Sequence, residues 1–323
     1  MRYRKLGGTR FEVSEIGYGA WGIGGIQWLG GTDEEARAAL NAAIDRGLNF
    51  IDTALAYGEG HSEQLAGPAV RHAGQRIYVA TKVPPKNHTW PARPGTPIDE
   101  VFPYGHIVQS TEQSLQNLGV GTIDLQQLHV WTPEWIGCEE WRRAAEDLKR
   151  SGKIRAFGIS LNSHAPDTAL EVIETGLIDC VQVVYNIFEQ APEQNLFPLA
   201  IQRNIGVIAR VPLEEGALTG TIDENTRFDP QDFRAEYFSG ERKKQMIERV
   251  AALKRDLEAA GVSEPLPEVA LRFSISHPAV STVIPGMRRV RHALSNCGVS
   301  DRGPLDANTL ALLRRHAWLR SPY

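Results

Sequence analysis

The chain has 323 residues, 42% of them hydrophobic and 23% charged; this supplies a large core, excludes global disorder, and suits two average domains or one (β/α) barrel with insertions. A net charge of -4 at pH 7 excludes a general attraction to nucleic acid or anionic membrane, so any bound phosphate must meet a local cluster of basic residues. Cys138, Cys180 and Cys297 are odd in number and scattered, which reads as free thiols in a reducing compartment; with no signal peptide and no run of about 18 apolar residues, a cytoplasmic location is expected.

Residues 1–15 hold two short strand-like pieces around Gly7-Gly8 and predict a hairpin. Ile16–Gly19 is the first of eight expected parallel strands. Gly17-x-Gly19-x-x-Gly22 satisfies the dinucleotide-binding pattern, but no helix opens at its third glycine, so it is not read as a Rossmann site. A helix is predicted from Thr32, where Thr32 and Glu35 form a capping box and Ala36, Leu40, Ala43 and Ile44 repeat at helical spacing. Gly47 ends it, and the strand Leu48–Asp52 follows.

The same grammar recurs along the chain. Helical patterns near 108–118, 139–151, 166–175 and 194–203 end at Gly119, Gly152, Gly176 and Asn204, and precede apolar runs at 123–129, 154–160, 178–185 and 205–211. Helices near 240–260 and 267–276, a strand at Val280–Ile284 and an amphipathic helix at about 305–319 complete the set. Eight such units in one chain predict an α/β fold of the (β/α)8, or TIM, barrel type, a single domain over 1–323. The segments 83–107 and 214–239 break the rhythm, carry aromatic residues, and are expected to be long loops on the catalytic face.

Strand after strand ends on a polar residue: Asp52, Lys82, His129 and Ser160, with Tyr57 five residues beyond Asp52. A phenol has a pKa of about 10; an ammonium beside it favours phenolate, and a carboxylate holds the ammonium in place. A neutral imidazole adds a hydrogen-bond donor, so Tyr57 and His129 together suit a carbonyl oxygen that gains a proton. No H-x-H or H-E-x-x-H pair for a metal, no G-x-S-x-G elbow and no phosphate-binding P-loop is present.

Asp52-Thr-Ala-x-x-Tyr57-Gly, Thr81-Lys82 and Leu128-His129, in this order, resemble the catalytic tetrad of the aldo-keto reductases, an NADPH-dependent barrel family, and the resemblance runs from Gly17-Tyr-Gly-Ala-Trp-Gly22 to Ile284-Pro-Gly-Met-Arg288. The resemblance implies that Tyr57 is the general acid, Lys82 and Asp52 its tuners, and His129 the residue that orients the substrate carbonyl. It further implies that Ser160, Asn162 and Gln182 hold the nicotinamide carboxamide; the family usually has that Ser and Asn adjacent, and here Leu161 intervenes. Gly19, Ala20 and Trp21 would lie beside the cofactor. Arg210 stands where many members stack an aromatic ring on the nicotinamide. Pro212, Leu213, Gly216 and Leu218 match the loop over the pyrophosphate, with the acidic pair Glu214-Glu215 expected to point away. Gly286, Arg288, His292 and Asn296 match the adenine end, Arg288 at the 2′-phosphate; His292 and Ser295 replace a Gln and a Glu often seen there.

The implied activity is NADPH-dependent reduction of a small carbonyl compound, with Trp21, Trp90 and Trp131 as pocket walls for an apolar or aromatic substrate. Two rival readings attach to the same residues: an NADP(H)-binding sensor or interaction protein with negligible turnover, and a lyase or isomerase using Lys82 as a Schiff-base amine.

Overall fold

The computed structural model describes residues 1–318. Its strands are β1 (Tyr3–Lys5), β2 (Glu12–Ser14), β3 (Tyr18–Gly19), β4 (Phe50–Asp52), β5 (Tyr78–Val83), β6 (Ile123–Leu128), β7 (Ile154–Ser160), β8 (Cys180–Val184), β9 (Gly206–Arg210) and β10 (Thr282–Val283). β1 and β2 pair antiparallel as the expected hairpin. β3 to β10 form one sheet in sequence order, every neighbour parallel. Parallel bridges Ile16–Val283 and Gly19–Gly286, with Gly17 N–H donating to Val283 O at 2.8 Å, join the last strand to the first. The sheet therefore closes on itself as a (β/α)8 barrel.

Strand side chains alternate between the barrel interior and the helical jacket. Leu6, Phe11 and Val13 of the hairpin pack with Phe50, Ala80, Leu125, Ala156, Cys180, Ile208 and Ile284 in an apolar cluster of their own. The hairpin thus plugs one end of the barrel. Two residues further along the same strands stand Asp52, Lys82, Gln127, Gly158, Gln182 and Arg210. The larger apolar cluster, which includes Ile51, Val79, Leu128, Ile159, Val181 and Val207, fills the space between strands and helices.

The helices follow local signals. Thr32 Oγ1 accepts from Glu35 N–H at 3.2 Å and Glu35 reaches back to Thr32 N–H at 3.3 Å, so the capping box opens the helix Asp33–Asp45. The helices Tyr104–Leu118 and Leu196–Arg203 stop where Gly119 (φ 64°) and Asn204 (φ 54°) turn left-handed. The helix Tyr104–Leu118 begins four residues before the predicted 108. The segment expected at 166–175 is a 3-10 turn, Pro166–Ala169, running into the short helix Leu170–Glu174.

One helix, His61–His72, was not predicted, because Gly67-Pro68 at its centre reads as a breaker. Gly67 has a packing reason: a Cβ there would stand 2.5 Å from Leu118 O. The last helix runs Ala307–Arg314, capped by Asp306; the remainder of the predicted segment does not continue it, and residue 319 lies outside the described residues. The segment 83–107 contains the short helix Ile98–Val101 and the first turn of Tyr104–Leu118, and 214–239 contains the 3-10 turn Glu214–Thr219 and the short helix Phe233–Tyr237. Cys138, Cys180 and Cys297 are free thiols. Among the described residues no helix is long and apolar enough to cross a membrane.

Candidate active site

The polar residues at the strand exits meet at the mouth of the barrel opposite the hairpin. Lys82 Nζ, fully buried, donates to Asp52 Oδ2 at 2.6 Å, to Thr53 O at 2.8 Å and to Tyr57 Oη at 3.3 Å. Asp52 Oδ1 accepts from Gln182 Nε2 at 2.7 Å and, at 3.5 Å, from Gln127 Nε2. A buried carboxylate is thereby met by an ammonium on one oxygen and by amide N–H groups on the other, which is the condition for keeping such a charge buried. Burial works to lower the Lys82 pKa, but the Asp52 charge and the bonds to Asp52 and Tyr57 outweigh it and hold the ammonium above its usual 10.5.

Tyr57 sits in the turn after β4, its ring 4.8 Å from Lys82 Nζ and 5.6 Å, edge-on, from the His129 ring. Lys82 was expected to bring the phenol pKa down. Burial is the larger effect, and the Tyr57 pKa is raised above 10.0 even though Lys82 pulls it down. Tyr57 is therefore a phenol throughout the neutral range. His129 is pushed well below 6.5, first by burial and then by the charges of Lys82 and Arg210; its imidazole is neutral. His129 Nδ1 is buried and has no hydrogen-bond partner among the described residues.

Aromatic side chains surround this pair. Trp21 stacks on Tyr57 at 6.2 Å, Trp90 stands edge-on to His129 at 5.9 Å, and Phe233 meets Trp21 at 4.9 Å. Trp131 does not join them. It is fully buried between Trp135 and Trp141, with its indole N–H on Thr168 O at 3.1 Å. The structure gives Trp131 to the core, since its direction from the β6 exit is outward under the helices.

The remaining expected positions fall into two groups. Around the mouth, Ser160 is buried at the β7 exit in register with Gln182. Asn162 is engaged as a tether: it bonds Ala92 N–H and Ala92 O at 3.3 Å and Trp131 O at 3.1 Å, tying the 83–107 loop to β7. Gly19 and Ala20 leave β3, Ala20 N–H donating to Asp52 O at 2.9 Å. Arg210 reaches across to Leu161 O at 2.9 Å. Beyond it Pro212 and Leu218 are buried, Leu213 is partly so, and Gly216 is left-handed at φ 101°. Glu214 points inward, accepting from Asn186 Nδ2 at 2.7 Å and Tyr237 Oη at 2.5 Å.

At the other end, Arg288 is half-buried, bonded to Leu29 O at 2.5 Å and lying 5.6 Å from the Trp28 ring, whose centroid is 4.5 Å from Arg234. No side chain caps the N-terminus of the helix Val290–Arg302, and no protein atom lies within 4 Å of where a Gly286 Cβ would stand. Such a terminus beside open space and a guanidinium suits an anion. His292 and Asn296 follow on the same helix; burial, then Arg291, Arg289 and Arg288, lowers the His292 pKa below 6.5. The segments are also strapped together: Phe233 N–H donates to Gln27 O at 2.8 Å and Asp232 accepts from Leu29 N–H at 3.2 Å.

Sequence reasoning passed over Gln127, Trp28 and Arg234, while Phe233 lies in the aromatic-bearing segment 214–239 expected on the catalytic face. Gln127 had a signal, since a residue two before His129 on one strand shares its face. Trp28 and Arg234 had none, because they belong to two loops far apart in sequence. Among the described residues no group of His, Cys, Asp and Glu is placed to hold a metal ion.

A closed parallel barrel with a Tyr–Lys–Asp chain and a neutral His at its mouth defines a barrel oxidoreductase acting on carbonyls with a nicotinamide cofactor. Comparison with known proteins agrees. The aldo/keto reductase family profile matches residues 15–317. Aldo-keto reductase YhdN of Bacillus subtilis is 32% identical over 302 residues, covering 90% of this chain and 86% of that protein. The NADH-specific methylglyoxal reductase of Escherichia coli is 33% identical over 235 residues, covering 69% and 70%. The structure of aldo-keto reductase AKR11C1 from Bacillus halodurans in its holo form superposes with a TM-score of 0.78 at 27% identity, covering 98% of this chain and 96% of that one. The chain belongs to the aldo/keto reductase family.

Proposed function

We propose that this protein reduces an aldehyde or ketone to the alcohol with NADPH, Tyr57 giving the proton to the carbonyl oxygen. The observation that carries this reading is the buried chain Asp52–Lys82–Tyr57, with Lys82 Nζ 3.3 Å from the phenol oxygen. When bound, the reduced nicotinamide supplies a hydride to the carbonyl carbon. Everything else is the work of this chain. Tyr57, kept protonated by burial, can give its proton to an oxygen that becomes an alkoxide, a far stronger base than phenolate. Lys82, on the Tyr57 oxygen, stabilises the phenolate that results, and Asp52 keeps Lys82 charged and fixed. His129, held neutral by burial and the neighbouring charges, donates its ring N–H to the same carbonyl oxygen and so fixes the substrate's orientation.

The residues present fit the cofactor. Ser160 and Gln182 meet at the mouth for the carboxamide, Gln182 with its amide nitrogen already on Asp52. Asn162, occupied by Ala92 and Trp131, holds the loop that bears Trp90. Arg288 and the uncapped helix beside Gly286 suit a phosphate, and a planar guanidinium can pair a 2′-phosphate bidentately; this supports NADPH over NADH. Trp21, Trp90 and Phe233 favour an apolar or aromatic carbonyl compound.

The test is loss of the near-ultraviolet absorbance of NADPH with an activated aromatic aldehyde, wild type beside Tyr57→Phe. The variant should lose roughly 10²–10⁴-fold in turnover, the usual worth of a positioned acid, while binding NADPH as before. Equal turnover in the two proteins would remove Tyr57 from the role of acid.

A further inference from the structure

Arg210 carries a charge at the mouth that the reaction above leaves unused. It ends β9, two residues beyond the inward-facing Ile208, and its guanidinium crosses the exit of β8 to that of β7. There Nη2 donates to Leu161 O at 2.9 Å and to Ser163 Oγ at 3.4 Å. Its Nε is buried and without a hydrogen-bond partner among the described residues. Its charge is felt by both Tyr57 and His129, so it lies beside the place where a carbonyl would react.

The turn after it is built to keep it there. Val211 is left-handed at φ 56°, an uncommon state for a β-branched residue, and Glu214 (φ 49°) and Glu215 (φ 51°) follow. Asn186 Nδ2 bonds both Val211 O at 2.9 Å and Glu214 Oε2 at 2.7 Å, and Tyr237 Oη secures the other oxygen of Glu214. Asp52, Glu215 and Tyr237 are the further charged or ionisable groups that act on Arg210. Asp52 is already matched by Lys82, so Glu215 is the carboxylate that offsets the guanidinium, which keeps its positive charge at the mouth.

A carbonyl with its oxygen on Tyr57 and His129 places any ring within reach of its carbon over this same mouth, next to Arg210. The reduced nicotinamide ring is neutral; the oxidised ring carries a positive charge. An aromatic side chain at this position would attract the oxidised ring through its π-face, whereas a guanidinium repels it. We propose that Arg210 makes the site selective for the redox state of its cofactor, holding the reduced form more tightly than the oxidised form and so favouring loading of reduced cofactor and release of the spent one. The inference rests on the nicotinamide reading above.

The experiment is an equilibrium titration of tryptophan fluorescence with NADPH and with NADP+, on wild type, Arg210→Tyr, Arg210→Gln and Arg210→Lys, each checked for fold by circular dichroism. The quantity read is the ratio of the two dissociation constants. Wild type should bind NADPH more tightly than NADP+. The neutral variants should reduce that preference about tenfold or more, as expected for two unit charges roughly 4 Å apart under partial solvent screening. Arg210→Lys, which keeps a charge, should retain most of it. Arg210→Gln serves if the bulkier Tyr disturbs the fold. Nucleotide binding with the same ratio in wild type and Arg210→Gln would overturn the inference and leave the reductase reading standing. Failure of the wild type to bind either nucleotide would overturn both.

Discussion

Replacing Lys82 by methionine removes an ammonium from a place where neither it nor Asp52 is more than 2% exposed. The Asp52 carboxylate then keeps Gln182 at 2.7 Å and Gln127 at 3.5 Å but loses its counter-charge. Breaking a buried pair by deleting one partner costs about 3–5 kcal/mol, chiefly because the other charge stays buried; the bonds lost at Thr53 O and Tyr57 Oη fall within that figure. The assay is urea unfolding of the nucleotide-free protein, followed by tryptophan fluorescence. A further sign follows. The Lys82 pKa is raised in the fold, so its contribution is complete below the unfolded value near 10.5 and is lost as pH rises through the higher folded one. Wild type should therefore show an alkaline decline that Lys82→Met lacks. The double variant Asp52→Asn with Lys82→Met should recover part of the loss. A single variant within about 1 kcal/mol of wild type, the size of an ordinary substitution, or a double variant no more stable than the single, would refute the reasoning.

Other outcomes are expected of the same site. Arg288→Gln should weaken NADPH binding by roughly 10–100-fold, the worth of charge-assisted hydrogen bonds, and leave NADH binding nearly unchanged; equal losses for both nucleotides would place Arg288 away from the 2′-phosphate. Because His129 titrates well below 6.5, turnover with an uncharged aldehyde should be flat across the range where a free imidazole ionises. An inflection near that value, abolished in His129→Gln, would mean that the imidazole is charged at work.

Much of this architecture was legible because its signals are local. The capping box at Thr32, the left-handed Gly119 and Asn204, and the apolar runs between them depend on residues a few positions apart. The helix His61–His72 was hidden for the complementary reason: Gly67-Pro68 looks like a break until the carbonyl of Leu118, about fifty residues on in sequence, shows why a small residue is needed there. Trp131 illustrates the limit for single side chains. Its position after His129 suggested a pocket wall, but whether a residue leaving a strand turns to the mouth or the jacket depends on the neighbours waiting there, here Trp135 and Trp141.

By itself the sequence determined the period of strand and helix, the polar residues at four strand exits, and with them the barrel and the set Asp52, Tyr57, Lys82 and His129. These follow from short-range periodicity and from the two-residue alternation that carries one face of each strand inward. Only the tertiary structure decided the partners. Gln182 meets Asp52 from 130 residues away, Arg210 leans on Leu161, and the loop at 232–233 is strapped to residues 27–29. It also decided that burial outweighs Lys82 in setting the Tyr57 pKa. The physical reason is the same in each case: the strength of a charge or hydrogen bond depends on how much water has been removed around it, and that is a property of all the strands closed together.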